Sequence, residues 1–208
     1  MKVLLVNGSP HKDGTTARAL KIVAEGLAAG GAESEITDIG DGPVRACNGC
    51  GICRKRDNGR CVFDDDAANR ILEKMEDADG MIIGSPVHYA AACGSVTAVM
   101  GRVFYAGKGF DQKPGASVAV CRRAGGVAAF DQLNKYFTIS RMPVVSSQYW
   151  NVGFGSNGDQ LAEDEEGAET MKTLASNMVW MLKCIEAGRK AGVDWPDNGG
   201  KKRTNFVR

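Results

Sequence analysis

The chain opens with an unbroken apolar run, Val3-Leu4-Leu5-Val6, that passes directly into Asn7-Gly8-Ser9-Pro10. Four consecutive apolar residues leave no face for water, so the run predicts a central parallel strand covered on both sides. Parallel strands need crossover connections, usually helices, and such a strand therefore restricts the chain to a layered α/β architecture. His11-Lys12-Asp13-Gly14 follows, and Thr15-Thr16 heads an amphipathic helix expected over residues 15–29, with Leu20, Val23, Ala24 and Leu27 on one face. Strand, hydroxyl-bearing loop and helix start together make an anion site. Free backbone N–H groups and the positive end of the helix face the ligand, and Ser and Thr hydroxyls add hydrogen bonds. Neither G-x-x-x-x-G-K-[ST] nor G-x-G-x-x-G is present, so the loop is not built for the commoner nucleotide phosphates.

Helical and strand patterns alternate from there. A short strand is expected at 34–38, and a loop rich in Gly, Cys and charge at about 40–62. Asp64-Asp65-Asp66 opens a helix that buries Ala68, Ile71, Leu72 and Met75. Met81-Ile82-Ile83-Gly84 is the third strand, with Ser85-Pro86-Val87-His88-Tyr89 at its carboxyl end. A helix over 96–105, a strand over 117–121, the turn Arg122-Arg123-Ala124-Gly125-Gly126 and a helix over 127–139 come next. The fifth strand is expected at 142–145 or a little beyond, followed by an irregular stretch over 151–164. A last long helix places Met171, Leu174, Ala175, Met178, Leu182 and Ile185 at helical spacing. Five strands alternating with helices predict a doubly wound five-stranded parallel sheet with helices on both faces. One domain over 1–190 and a polar tail over 191–208 are expected. Ligands of such sheets bind beyond the carboxyl ends of the strands, where the three informative loops lie. On this sheet a hydroxyl-rich first loop suits the terminal monophosphate of flavin mononucleotide, FMN.

Composition narrows the function classes. With 208 residues and 43% apolar content, one globular domain with a sizeable core is expected. A net charge of +1 argues against a nucleic-acid surface, which needs a basic patch. No run reaches the length of a membrane span and no apolar leader segment follows Met1, so a cytoplasmic protein without a membrane partner is expected. Four of the seven cysteines, Cys47, Cys50, Cys53 and Cys61, crowd into the long loop. They read as ligands of a [4Fe-4S] cluster, as a zinc site, as a disulfide, or as reduced thiols packing a loop. Cys93, Cys121 and Cys184 read as buried small hydrophobes.

Asn7-Gly8-Ser9-Pro10 with Gly14-Thr15-Thr16, Gly84-Ser85-Pro86-Val87-His88-Tyr89 with Gly94-Ser95, and the Arg122 to Gly126 turn together resemble the flavodoxin-like NAD(P)H-dependent FMN reductase family over roughly residues 1–150. The compact C-x-x-C-x-x-C run with a later fourth cysteine looks like the iron–sulfur flavoprotein branch of that family. The resemblance implies the flavodoxin-like strand order 2-1-3-4-5. It implies that Ser9, His11, Gly14, Thr15 and Thr16 hold the FMN phosphate. Pro86, Val87, His88 and Tyr89 would line one edge of the isoalloxazine, and Arg122, Arg123, Ala124, Gly125 and Gly126 would flank its other side. Family members often carry an aromatic directly after Pro-Val, whereas here His88 precedes Tyr89. Tyr89 is otherwise expected to pack at the base of its loop. The implied chemistry is hydride transfer from NAD(P)H to the flavin and on to a small-molecule or redox-protein acceptor. No acid–base triad is implied, and His88 is a candidate modulator. Arg122 and Arg123 read either as a grip on a nicotinamide donor's phosphate or as surface charges. An electron carrier linking FMN, a [4Fe-4S] cluster and a redox partner is the alternative, and a redox-sensing flavin protein a third. The family habit implies a homodimer or homotetramer, with Tyr149, Trp150 and the tail over 201–208 as interface elements.

Overall fold

The computed structural model describes residues 1–197 and residue 204. In chain order the elements are β1 (Lys2–Asn7), α1 (Thr15–Ala29), β2 (Glu33–Asp38), α2 (Ile52–Arg56), α3 (Ala68–Asp77), β3 (Gly80–His88), β4 (Ala91–Ala92), α4 (Gly94–Ala106), β5 (Gly115–Cys121), α5 (Gly126–Ile139), β6 (Val152–Phe154), α6 (Gly158–Glu163) and α7 (Glu165–Lys190). The strands run in the order β2-β1-β3-β5-β6, and β4 folds back antiparallel on the end of β3. With that two-residue hairpin set aside, the parallel strands follow the expected order 2-1-3-4-5.

The apolar run of β1 behaves as its sequence requires. Leu4 and Val6 join Met81, Ile83, α3, α4 and α5 in one core layer. Val3 and Leu5 turn the other way and join Ile82, Val118, Val120, α1 and α7 in the second. Successive strand residues alternate between faces, so both layers are built from the same few strands. Because β1 lies between β2 and β3, strand order reverses there, and sheets of this kind form their ligand crevice beyond the strand ends at such a point.

Two expectations need correction. The fifth strand is not at 142–145. Only Val144 pairs there, with Gly115, and the edge is closed instead by β6, inside the stretch expected to be irregular. Pro143 has no N–H for a ladder. Its carbonyl accepts from Gly115 N and Val145 N donates to Gly115 O, both at 2.9 Å, and the chain then leaves the sheet. Gly115 stands opposite Val144 but Ala119 opposite Val152, so the edge strand carries extra residues that form a surface excursion. Buried Asn151 repairs the break. Its carbonyl accepts from Ala119 N at 2.9 Å and its Nδ2 donates to Ser117 O at 3.0 Å. The second correction concerns Cys184, which is exposed while Cys93 and Cys121 are buried. It lies two residues beyond buried Leu182, which in a helix is nearly the opposite side.

The long loop holds α2, and the following helix starts at Ala68, with Asp66 Oδ1 accepting from Ala68 N at 3.0 Å. Most of the tail, including the interface expectation at 201–208 apart from Thr204, lies outside the described residues. Among the described residues, no helix is long and apolar enough to cross a membrane.

The Asn151 repair can be tested. Replacing Asn151 by Ala should lower stability by about 1–2 kcal/mol in urea unfolding, because Ser117 O loses its buried donor. An unchanged midpoint would show that the side chain does not hold the edge.

Candidate functional site at the carboxyl edge of the sheet

Asn7, the last residue of β1, organises the first loop. Its Oδ1 accepts from Ser9 N at 3.2 Å, and its Nδ2 donates to His11 O at 3.3 Å and to Asp38 Oδ1 at 2.8 Å. Ser9 is buried and its Oγ accepts from His11 N at 3.1 Å, which leaves the hydroxyl hydrogen to donate elsewhere. The His11 imidazole is exposed, so the loop is built on its backbone. Gly8 N donates to Gly84 O at 2.8 Å, and a Cβ on Gly8 would stand 2.5 Å from that oxygen and 2.7 Å from Val96. No side chain fits, and the first and third loops are thereby locked together.

The start of α1 is open. Its N-cap is Gly14, and no side chain caps the helix. Thr16 is 1% exposed, and its Oγ1 is buried without a hydrogen-bond partner among the described residues. An unpaired buried hydroxyl costs roughly 1–3 kcal/mol, and a ligand oxygen among free N–H groups removes that cost. The starts of α4 and α5, at Cys93 and Gly125, also lack side-chain caps, whereas Asn157 and Asp164 cap α6 and α7. The ends of α1, α4 and α5 are thus left open, each just beyond the strand that leads to it; α2 and α3 also begin without a side-chain cap.

The third loop is the hairpin from β3 into β4, with Val87 opposite Ala92 and His88 opposite Ala91. Ser85 Oγ donates to Pro86 O at 2.8 Å and accepts from Cys93 N at 3.0 Å, which ties the two ends of the loop. At the tip, Ala90 N donates to His88 O at 2.9 Å, and Tyr89 has φ +63. A bulky residue rarely adopts that left-handed conformation, and it stores strain at the rim of the crevice. Tyr89 does not pack at the loop base as expected. Its side chain is fully exposed, because the hairpin tip projects it away from the body. His88 is exposed beside it. In the fourth loop Gly125 has φ +89, and a Cβ there would meet Val87 Cγ1 at 2.8 Å, so this loop lies against the third. Arg122, Arg123 and Ala124 are exposed, and neither arginine has a carboxylate partner among the described residues. Burial pushes the Cys121 thiol up from its ordinary range, against the opposing pull of the Gly126 and Arg123 N–H groups, so an uncharged thiol lies beneath the loop. On its outer side, an apolar cavity of about 410 Å³ is lined by Arg123, Tyr149, Trp150, Phe154 and the head of α7.

The four loop cysteines border one separate cleft, with Phe63 on one wall and Arg102, Tyr105 and Ala106 of α4 on another. Cys47 and Cys50 are exposed, and Cys53 and Cys61 are half-buried. Among the described residues, no three His, Cys, Asp or Glu side chains stand close enough to hold a single metal ion. Four thiols are gathered in the lining of the cleft, beside Asn48 and Tyr105, and thiolate is the ligand chemistry that iron–sulfur clusters use. Two residues that sequence reasoning missed hold this region. Asn69 Oδ1 accepts from Cys61 N at 2.8 Å, and its Nδ2 donates to Cys61 O at 3.0 Å, to Phe63 O at 3.2 Å and to Asp64 Oδ1 at 2.9 Å. Arg102 is 1% exposed, ion-paired to Asp66, and its Nε donates to Cys61 Sγ at 3.3 Å. Burial opposes its charge, but Cys61 and Asp66 together raise it above its ordinary range. The one available signal was a charge within the apolar stripe Val96, Val99, Met100, Val103.

Residues 1–157 match the model of the family described as NADPH-dependent FMN reductase. An iron-sulfur flavoprotein of Methanocaldococcus jannaschii is 31% identical over 195 residues, covering 89% of this chain and all 100% of that protein. An iron-sulfur flavoprotein of Methanosarcina thermophila is 30% identical, covering 91% of this chain and 99% of its own. Among solved structures, a flavodoxin from the domain Archaea superposes with a TM-score of 0.59 at 13% identity, over 88% of this chain and 99% of that one. That likeness shows the flavodoxin-like fold.

The orphaned hydroxyl gives a test with two opposite signs. Thr16→Val should raise the stability of the flavin-free protein in urea, because an unpaired buried oxygen is removed. It should weaken FMN binding by about 1–3 kcal/mol in fluorescence titration, while riboflavin, lacking the phosphate, changes little. Equal losses for both flavins would mean that Thr16 does not face the phosphate.

Proposed function

Because the chain belongs to the NADPH-dependent FMN reductase family, we propose that it takes hydride from NAD(P)H onto FMN and delivers the electrons to an acceptor through an iron–sulfur cluster in its cysteine cleft. The observation that carries the flavin assignment is the partnerless Thr16 hydroxyl at an uncapped helix start, beside the point where strand order reverses. Bound FMN supplies a hydride acceptor, and a [4Fe-4S] cluster a one-electron relay. The chain's own residues bind and orient. Ser9, Thr15, Thr16 and the head of α1 hold the phosphate. The third and fourth loops, in contact through Val87 and Gly125, hold the ring between them, and their backbone N–H groups favour charge that develops on reduction. Arg122 and Arg123, exposed and unpaired among the described residues, are placed for the phosphates of the nicotinamide donor. Cys47, Cys50, Cys53 and Cys61 hold the cluster. His88 stands beside the ring as an exposed modulator rather than as an acid–base catalyst.

The four-thiol cleft also favours a second reading, an electron carrier loaded by a low-potential redox protein and not by a nicotinamide. Protein purified without oxygen separates the two. The first reading expects stoichiometric FMN, iron and sulfide, and rapid oxidation of NADH or NADPH. Slow oxidation of both, with fast reduction by ferredoxin, would establish the carrier. Cys50→Ala should abolish the broad cluster absorption and release iron while FMN stays bound. Absence of iron and sulfide from the anaerobic protein would defeat the cluster.

We further propose a homo-oligomer closed over the flavin. Tyr149, Trp150 and Phe154 are about half exposed around the apolar cavity, and Tyr89 stands uncovered at the rim. A second copy would bury these aromatic faces and complete a wall that one chain leaves open. Light scattering at micromolar concentration should give at least twice the monomer mass. A monomer with full FMN affinity would overturn this.

A further inference from the structure

We propose that Arg102 is a positioning residue for the cysteine cleft: through its hydrogen bond to Cys61 it raises the reduction potential of the cluster held there. This rests on the reading of the cleft as an iron–sulfur site. The starting observation is a cation where the packing calls for an apolar side chain. Arg102 lies on the buried stripe of α4 and is among the largest fully buried side chains of the protein. A buried charge is tolerated only when paired and hydrogen-bonded. Here Nη1 pairs with Asp66 Oδ2 and donates to Arg45 O at 3.2 Å, and Nη2 donates to Phe63 O at 2.6 Å. Those three bonds engage both terminal nitrogens. The third nitrogen directs its one hydrogen, Nε–H, at Cys61 Sγ at 3.3 Å.

The arrangement has a direction. Asp66 is held at Nη1, not at the nitrogen that meets the sulfur, so the guanidinium presents its positive side to the cleft. Asp66 itself is 3% exposed and also accepts from Arg45 N at 3.2 Å, which keeps it at that end. Two other arginines stack on rings that line the cleft, Arg45 on Phe63 at 4.6 Å and Arg54 on Tyr105 at 4.2 Å, and both remain exposed. Water screens them, whereas Arg102 acts through a dry contact. Reduction of the cluster adds one electron, from reduced flavin or a low-potential carrier, and makes or breaks no bond. The added negative charge resides on iron and sulfur together, so an N–H donor and a positive charge at a ligand sulfur stabilise the reduced form over the oxidised one.

The experiment is a dye-mediated reductive titration under anaerobic conditions, with the cluster followed by EPR and FMN by absorbance. Removing Arg102 alone would strand Asp66, so the principal variant is R102Q with D66N, which leaves the site neutral. Its cluster should be at least tenfold harder to reduce, about 59 mV for a one-electron couple, while the FMN equilibrium moves less than threefold. R102K, which keeps the charge without the planar fork, should recover part of that loss. A cluster potential within threefold of wild type in R102Q/D66N would overturn the inference. So would loss of the cluster from both R102Q/D66N and R102K with FMN retained, since Arg102 would then be scaffold alone. Wild-type protein without iron or sulfide would overturn the cleft assignment itself, an outcome distinguishable from either.

Discussion

The hydrogen bond from Gly8 N to Gly84 O continues the β1–β3 pairing one step past the last residues in register, Asn7 and Gly84. Much of the functional edge depends on it. It brings the first loop against the third at a distance where only glycine fits, and Val96 of α4 packs into the same place. The phosphate end and the ring end of the proposed flavin site are therefore extensions of one sheet, and their separation is set by strand geometry. Gly125 against Val87 does the same for the fourth loop. A side chain at Gly8 would have to shift the Gly84 carbonyl, and one at Gly125 the Val87 side chain, so the packing of the loops and the sheet are coupled.

Side-chain capping differs along the chain. Helices α1 to α5 begin without a capping side chain, and α6 and α7 are capped by Asn157 and Asp164. An uncapped start is a small loss for a helix and a gain for a bound anion. The cysteine cleft follows another rule. Its polarity comes from one guanidinium buried by neighbours distant in sequence: Cys61 and Asp66 lie 41 and 36 residues from Arg102.

That contrast explains what was legible in the sequence. The first loop could be read because every part of it is local: Val3 to Val6, the hydroxyls and the helix start lie within one strand–loop–helix unit. The cysteines could be read from spacing, but not what lies beneath them, since Arg102 and Asn69 reach them only through tertiary packing. Nothing in a helical pattern distinguishes a buried arginine from a surface one. The fifth strand was misplaced for a related reason. Residues 142–145 have the apolar character of an edge strand, and Met142 and Val145 are buried like one, yet Pro143 limits the pairing. The repair by Asn151 is a side chain imitating a backbone donor, which no periodicity records. Tyr89 was expected at the loop base because aromatic residues are usually covered, but a two-residue hairpin tip has nothing beneath it to do the covering.

The two proposed redox sites share α4. Its first turn follows Cys93, whose N–H is held by Ser85 in the third loop, and its last turns contribute Arg102, Tyr105 and Ala106 to the cysteine cleft. At 1.5 Å of rise per residue, Cys93 and Arg102 are roughly 14 Å apart along the axis. Val96, Val99, Met100 and Val103 anchor the intervening turns in the core, fully buried. The distance between the sites is therefore that of a packed helix, insensitive to motion in either loop. Loop changes can alter the affinity or potential of one site without bringing it nearer the other. The sequence of α4 reflects this span: an exposed Gly94 opens the helix beside the third loop, and the buried cation Arg102 sits where its last turns border the four cysteines.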